Sequence, residues 1–410
     1  MKKLISLILV SLMLVATLAG CNGEKKPEPT PEEPKLKIGV ILVGDENEGY
    51  TYAHIEGIKA AMKANNLSDD QVIWKYSVPD TDSSAYDQAV DLVEQGCTAV
   101  FSNSYGHQAY MQKVAGEYPN VKFVACTGDT AFLVKMDNFS NAFTKVYESR
   151  YVSGVVAGMK LAELEKDGKI PAESYKDGKV LVGYVGAFPY AEVVSGMTAF
   201  YLGIKSVFEN VTMEVIYTNS WFDLVAEGET ANALMNDHCV IIGQHADSTG
   251  APSAVEAANK EVYSVGYNVD MLTAAPTKAL TSATNNWGVY YTYAFGQVIK
   301  GEKIATDWAE GYETGAVAIT KLGPACAAGT AEAVAQAEAD IKAGKLHVFD
   351  TNTWTVNGEH VSEMKVDING TFGDASDDVN AVWDGYFHES ELRSSPALGF
   401  YIDGIFEKGK

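Results

Sequence analysis

The stretch that sets the fold is Ile38-Gly39-Val40-Ile41-Leu42, a short run without a charge, followed by the helical pattern of Tyr52–Ala64. From there, apolar β-branched runs alternate with helical patterns. Val72–Tyr76 reads as a strand and Ala85–Glu94 as a helix; Ala99–Phe101 as a strand and His107–Glu117 as a helix; Lys122–Ala125 as the next strand. A β-α-β-α order implies a parallel sheet covered by helices on both faces. Strands buried on both faces should be nearly continuously apolar, as these are.

The pattern then restarts. After the long helix Tyr147–Lys166, strands are expected at Val180–Tyr184, Glu214–Tyr217, Val240–Ile242 and Val262–Val265, with helices at Glu192–Phe208, Ala226–Met235 and Pro252–Asn259 between them. The chain is thus α/β with two doubly wound, parallel-sheet lobes. A late βα unit, Ala279–Thr284 and Val289–Ile299, is expected to return to the first lobe. The expected division is lobe one at residues 37–146 plus 279–305, lobe two at 147–278 plus 306–357, and an extension at 358–410 that packs on the body through Trp383, Tyr386 and Phe387. In the tail, Val317–Ile319 reads as a strand and Ala331–Ala343 as a helix, and Lys345–Phe349 and Thr353–Val356 flank the turn-rich Asp350-Thr351-Asn352.

The N-terminal residues concern address rather than fold. Lys2 and Lys3 precede the apolar run Ile5–Ala19, and Leu18-Ala19-Gly20 leads into Cys21. This order reads as a signal peptide over residues 1–20, with Cys21 as the lipidated first residue of the mature chain. Residues 21–36 hold Pro27, Pro29, Pro31 and Pro34 among Glu and Lys, the composition of an extended, solvated tether.

Composition narrows the partners. The formal net charge is −23, which argues against a polyanion such as nucleic acid. Arg150 and Arg393 are the only arginines. The bidentate fork that commonly grips a carboxylate or phosphate ligand is therefore scarce. Cys97, Cys126, Cys239 and Cys326 show neither CxxC nor zinc spacing and read as free thiols, and no metal or cofactor is expected. The sequence has no GxxxxGK[ST], GxSxG or HExxH, so an enzyme such as a nucleoside hydrolase is the weaker reading.

In open α/β sheets ligands bind beyond the carboxyl ends of the strands. The candidates there are Tyr50 and Tyr52 after the first strand, and Ser104 and Tyr105 after the third. The second lobe offers Phe188, Trp221, Phe222, Asp223, His245, Asp247 and Asn268. Asn285, Asn286 and Trp287 follow the late strand. Aromatic faces stack on planar rings, and amides and carboxylates read ring nitrogens and exocyclic amines. This set suits a heteroaromatic base, and a sugar would also accept it. Each residue has a plainer role open to it. Trp221 and Phe222 could be core, His245 a loop histidine, and Asp247, Asn285 or Asn286 helix caps.

Against these residues the chain resembles the basic membrane protein (Bmp) family of PnrA-like lipoproteins. The resemblance runs from about Lys37 to Phe349 and rests on Glu148-Ser149-Arg150-Tyr151-Val152-Ser153-Gly154-Val155-Val156-Ala157-Gly158 and Gly183-Tyr184-Val185-Gly186. Thr249-Gly250 and Thr281-Ser282 extend it. A subgroup associated with adenine is closer still, through Gly49-Tyr50-Thr51-Tyr52, Asn219-Ser220-Trp221-Phe222-Asp223, Gln244-His245, Asp247-Ser248 and Asn286-Trp287-Gly288. The resemblance implies a type I periplasmic binding protein fold with a three-strand hinge, and the solute-binding component of an ABC importer on the outer face of the cell membrane, with permease and ATPase partners. It implies a purine, adenine first; by the chemistry of the side chains the ring is expected between Tyr50 or Tyr105 on one lobe and Trp221 or Phe188 on the other, with Asp247 and Asn286 at its edge. Nucleoside-binding members carry a Lys where this chain has Asn285, and a Phe where it has Tyr50, which favours a free base over a nucleoside. A same-fold receptor for a sugar or flavin, or a sensory receptor, stays open.

Overall fold

The lobe-one sheet starts from the quoted strand. β1 (Ile38–Ile41), α1 (Gly49–Ala64), β2 (Val72–Lys75), α2 (Ser84–Glu94), β3 (Ala99–Ser102), α3 (Gln108–Glu117), β4 (Lys122–Cys126), the one-turn α4 (Ala131–Val134) and β5 (Phe139–Thr144) follow in order. In this computed structural model, which describes residues 36–370 and 375–409, all of these strands run parallel in the order β5-β4-β3-β1-β2. Residues 1–35, which hold the expected signal peptide, Cys21 and most of the tether, lie outside the described residues. β1, β3 and β5 are buried at every position, as strands covered on both faces must be.

The chain then crosses to the second lobe through α5 (Val146–Lys166), followed by β6 (Tyr175–Lys176), β7 (Lys179–Gly186), α6 (Ala191–Val207), β8 (Val211–Tyr217), α7 (Leu224–Asn236), β9 (Ile241–Gln244), α8 (Gly250–Ala257), β10 (Tyr263–Tyr267) and β11 (Ala279–Asn285). The motif in α5 has a packing cause. A Cβ on Gly154 would collide with the Phe200 carbonyl oxygen of α6, and one on Gly203 with the Tyr151 carbonyl oxygen. Glycine on both helices lets their backbones touch.

Two expectations about lobe membership are overturned. β11 pairs with β10, with Val265 opposite Thr281 and Gly266 opposite Ser282, so the late strand belongs to lobe two. Only its helix α9 (Trp287–Lys300) returns, burying Trp287, Tyr290, Tyr291 and Phe295 in the lobe-one core. β12 (Asp307–Glu310) then joins the lobe-one sheet beside β5, although residues 306–357 were expected in lobe two. β13 (Val317–Ile319) returns to lobe two antiparallel to β11. The physical reason is that a short apolar strand carries no mark of which sheet edge it will extend. The crossovers β5→α5, β11→α9 and β12→β13 make the three-strand hinge.

Lys345–Phe349 and Thr353–Val356 follow α10 (Thr330–Lys342) without forming strands. Their apolar residues Val348, Phe349 and Trp354 are buried in the lobe-two core instead. Both edges of that sheet are taken, by β13 and by β18 (Ile405–Glu407), which lies parallel to β8. Between them run two small hairpins, β14 (Lys365–Val366) with β15 (Val379–Asn380), and β16 (Val382–Trp383) with β17 (Tyr386–Phe387). Val366, Val382, Phe387, Leu398 and Ile402 join the lobe-two core. The described residues form one compact unit.

Candidate functional site

The loops beyond the strand ends of both lobes enclose a cavity of about 320 Å³. Lobe one contributes Val43, Glu48 and Tyr50 after β1, Asp80 after β2, Asn103, Ser104 and Tyr105 after β3, and Thr127 after β4. Lobe two contributes Phe188, Glu192, Asn219, Ser220, Trp221, Phe222, Asp247 and Tyr267.

Local hydrogen bonds fix these loops. Asn103 accepts from the Val43 N–H at 2.8 Å and donates to Thr51 Oγ1 at 3.3 Å, tying the loops after β1 and β3 together. Tyr50 donates its hydroxyl to the Asn103 carbonyl. Ser104 donates to Asp80 Oδ2 at 2.6 Å. On lobe two, the Asp247 N–H donates to the Trp221 carbonyl at 2.8 Å, which ties the two residues' loops together. Asn268, held in the left-handed region at φ 62°, donates to Asp247 Oδ1 at 2.6 Å. Asn285 in turn donates to Asn268 Oδ1 at 3.2 Å and accepts from Thr144 Oγ1 at 2.5 Å. A continuous chain of side chains thus joins the ends of two hinge strands to a carboxylate in the cavity wall.

The electrostatics are acidic. Glu48, Asp80, Glu192 and Asp247 line the cavity, and no Lys, Arg or His does. Burial lifts the Asp247 carboxyl well above its usual range, with Glu48, Glu227 and Glu192 adding to the push and Arg150 opposing it. Burial likewise raises Glu192 to about 7 against the pull of Arg150. Arg150 is buried behind the wall, its guanidinium 3.6 Å from the Tyr267 ring centroid and one N–H donating to the Gln244 carbonyl at 2.5 Å. Burial thus favours the neutral form of both carboxyls, which can accept and also donate hydrogen bonds, and no cation lines the cavity to hold an anion.

Seven of the expected residues meet here: Tyr50, Ser104, Tyr105, Phe188, Trp221, Phe222 and Asp247. The others do not line the cavity. Tyr52 is exposed on α1. Asp223 caps α7, accepting from the Val225 and Ala226 N–H groups. His245 is buried behind the wall, with Nε2 3.5 Å from Glu192 Oε1, and burial, aided by Arg150, keeps it neutral. Asn268 and Asn285 act one layer back, through Asp247. Asn286, expected at the ring edge, is exposed at the start of α9 and donates to the Gly315 carbonyl at 2.9 Å. Trp287 stacks on His54 inside lobe one, centroids 4.2 Å apart. Asn286 and Trp287 stand off the cavity for one reason: β11 ends at the hinge, so the residues after it face the crossover.

Sequence reasoning missed Glu48, Asp80, Asn103, Thr127, Glu192 and Tyr267. The first four stand in strand-end loops, so the same positional rule reaches them. Tyr267 ends a strand and Glu192 opens a helix; only the fold turns them inward.

Two α/β lobes, three crossovers and a cavity between the carboxyl ends of both sheets define a two-lobed solute-binding protein. Residues 35–348 match the family described as ABC transporter substrate-binding protein PnrA-like, and the chain belongs to it. It is 31% identical over 366 residues to a purine-binding protein of Brucella abortus, covering 86% of this chain and 95% of that one. It is 29% identical over 306 residues to a Haloferax volcanii protein named for ABC-transporter glucose binding, covering 73% and 70%. Its fold is similar to that of an ABC transporter solute-binding protein from Aeropyrum pernix, with TM-score 0.62 and 14% identity over 80% of this chain and 95% of that one. Such substrate-binding proteins work outside the cytoplasm, bind small molecules for delivery to a permease, and are not enzymes. Among the described residues no helix is long and apolar enough to cross a membrane.

Proposed function

We propose that this chain is the lipid-anchored receptor of an ABC importer for a purine base, adenine before nucleosides. The observation that carries the reading is the make-up of the cavity: Tyr50 and Tyr105 from one lobe, Phe188 and Trp221 from the other, and four carboxylic side chains with no cation. Aromatic pairs are worth about 0.5–1.5 kcal/mol beyond burial. Both faces of a planar ligand are covered only when the lobes close. The exocyclic amine and ring N–H of adenine are donors, and Asp247 and Glu192 offer acceptors. A phosphate ester would meet four acidic groups. Asn285 is engaged by Thr144, Tyr267 and Asn268, which leaves no cationic grip for a ribose. The purine-binding relative supports the same ligand class. Cys21, after its apolar run, supplies the anchor.

A sugar is the second reading, favoured by the pairing of Trp221 with Asp247 and Asn219 in the cavity. Titration calorimetry with adenine, adenosine, guanine, riboflavin, ribose and glucose separates the two. Adenine should bind most tightly. Tight binding of a sugar or riboflavin with no response to any purine would refute the ligand and leave the transport role standing.

A further inference from the structure

The C-terminal extension, of which residues 358–370 and 375–409 are described, lies beyond the family match at 35–348. It is built into lobe two. β18 extends that sheet, Leu398 and Ile402 join its core, and Glu389 accepts from Ser195 of α6 at 3.2 Å and from the Leu398 N–H at 3.0 Å. Yet two consecutive residues reach the other lobe. Arg393 Nη1 lies 3.6 Å from Asp129 Oδ2, which follows β4. The Ser394 N–H donates to Asp307 Oδ2, at the start of β12, at 2.7 Å. Arg393 is held in position by its own segment, donating to the carbonyls of Ile368, Ser395 and Pro396. Its side chain and that of Asp129 are 10% and 18% exposed, so the pair is largely shielded from salt and water.

Asp129 also reaches the ligand site. It accepts from Gln108 at 2.9 Å and from the hydroxyl of Tyr105 at 3.4 Å, and Tyr105 lines the cavity. We propose that the extension is a closure latch, in which Arg393 and Ser394 grip Asp129 and Asp307 across the lobes and Arg393 acts as a positioning residue for Tyr105. Apparent affinity scales with the fraction of molecules in the closed, binding-competent state. A contact made only between closed lobes raises that fraction whatever the ligand is, so the latch does not depend on the purine reading.

The test uses the full chain with nitroxide labels at Lys63→Cys on α1 and Glu229→Cys on α7, and pulsed electron–electron resonance distances without ligand. Raising salt from about 0.05 to about 1 M should leave the distances of the unsubstituted protein largely unchanged, because a pair this buried is screened little. Arg393→Gln and Asp129→Asn should each show longer distances than the unsubstituted protein at either salt concentration. The swap Arg393→Asp with Asp129→Arg should restore the short distances. In calorimetry with adenine, both single variants should bind about fivefold more weakly, the low end for linked sites. Distances unchanged in both variants would overturn the latch, as would a shift in Arg393→Gln that Asp129→Asn does not reproduce. If adenine fails to bind the parent protein, the purine reading falls, and the distances still decide the latch.

Discussion

Asn268 Nδ2 lies 2.6 Å from Asp247 Oδ1, and this hydrogen bond fixes one carboxyl oxygen while leaving the other for the cavity. Asp247→Ala should weaken adenine binding by about tenfold or more, the scale of leaving a buried donor of the ligand without its partner. Asn268→Ala, which frees rather than removes the carboxyl, should cost less. Calorimetry of both variants checks the order; equal or no losses would contradict it.

Trp221 has Phe188 at 5.3 Å between ring centroids, and both line the cavity. Trp221→Ala should raise the dissociation constant for adenine by about tenfold or more, since stacking and burial are lost together. Asn286→Ala is the control. Its amide binds the Gly315 carbonyl at the hinge, so affinity should stay close to that of the unsubstituted protein.

Glu227 is fully buried, and both carboxyl oxygens accept from the Ser248 N–H at 3.1 Å. Burial raises its carboxyl to about 7. The folded form therefore holds a proton that the unfolded form releases above about 4.5, so its share of stability is fully present below that pH and is lost as pH rises through about 7. Glu227→Gln should flatten the fall in unfolding temperature between about pH 5 and 8. A parent protein and variant with the same slope over that range would exclude this assignment.

Gly154→Ala should destabilise lobe two by about 1–3 kcal/mol, the usual cost of overpacking, because the new methyl meets the Phe200 carbonyl. The measurement is urea unfolding of the purified variant. Gly168→Ala makes the comparison: a Cβ there meets nothing, though its φ of 65° carries backbone strain of its own. The two variants therefore separate crowding from strain.

Cys21→Ser should release the protein from membranes into the soluble fraction, since a lipidated thiol is the proposed anchor. Retention of the variant after a high-salt wash would count against it.

The α/β alternation was legible from Ile38 onward because doubly covered parallel strands must be apolar at every position, and that pattern is local. The aromatic and acidic character of the site was legible for the same kind of reason: strand-end loops are where such sheets bind, so Tyr50, Tyr105, Trp221 and Asp247 could be found by position. β5 was not, because Ser140, Asn141 and Thr144 interrupt its apolar run, and their burial depends on partners elsewhere in the chain. Pairing alone decided that β11 extends lobe two and β12 lobe one, and so turned Asn286 and Trp287 away from the cavity. Glu192, at the start of a helix, lines the cavity only because the tertiary fold turns that helix end inward. Periodicity reports which face of an element is buried; which partner buries it is a long-range choice, made by the tertiary structure.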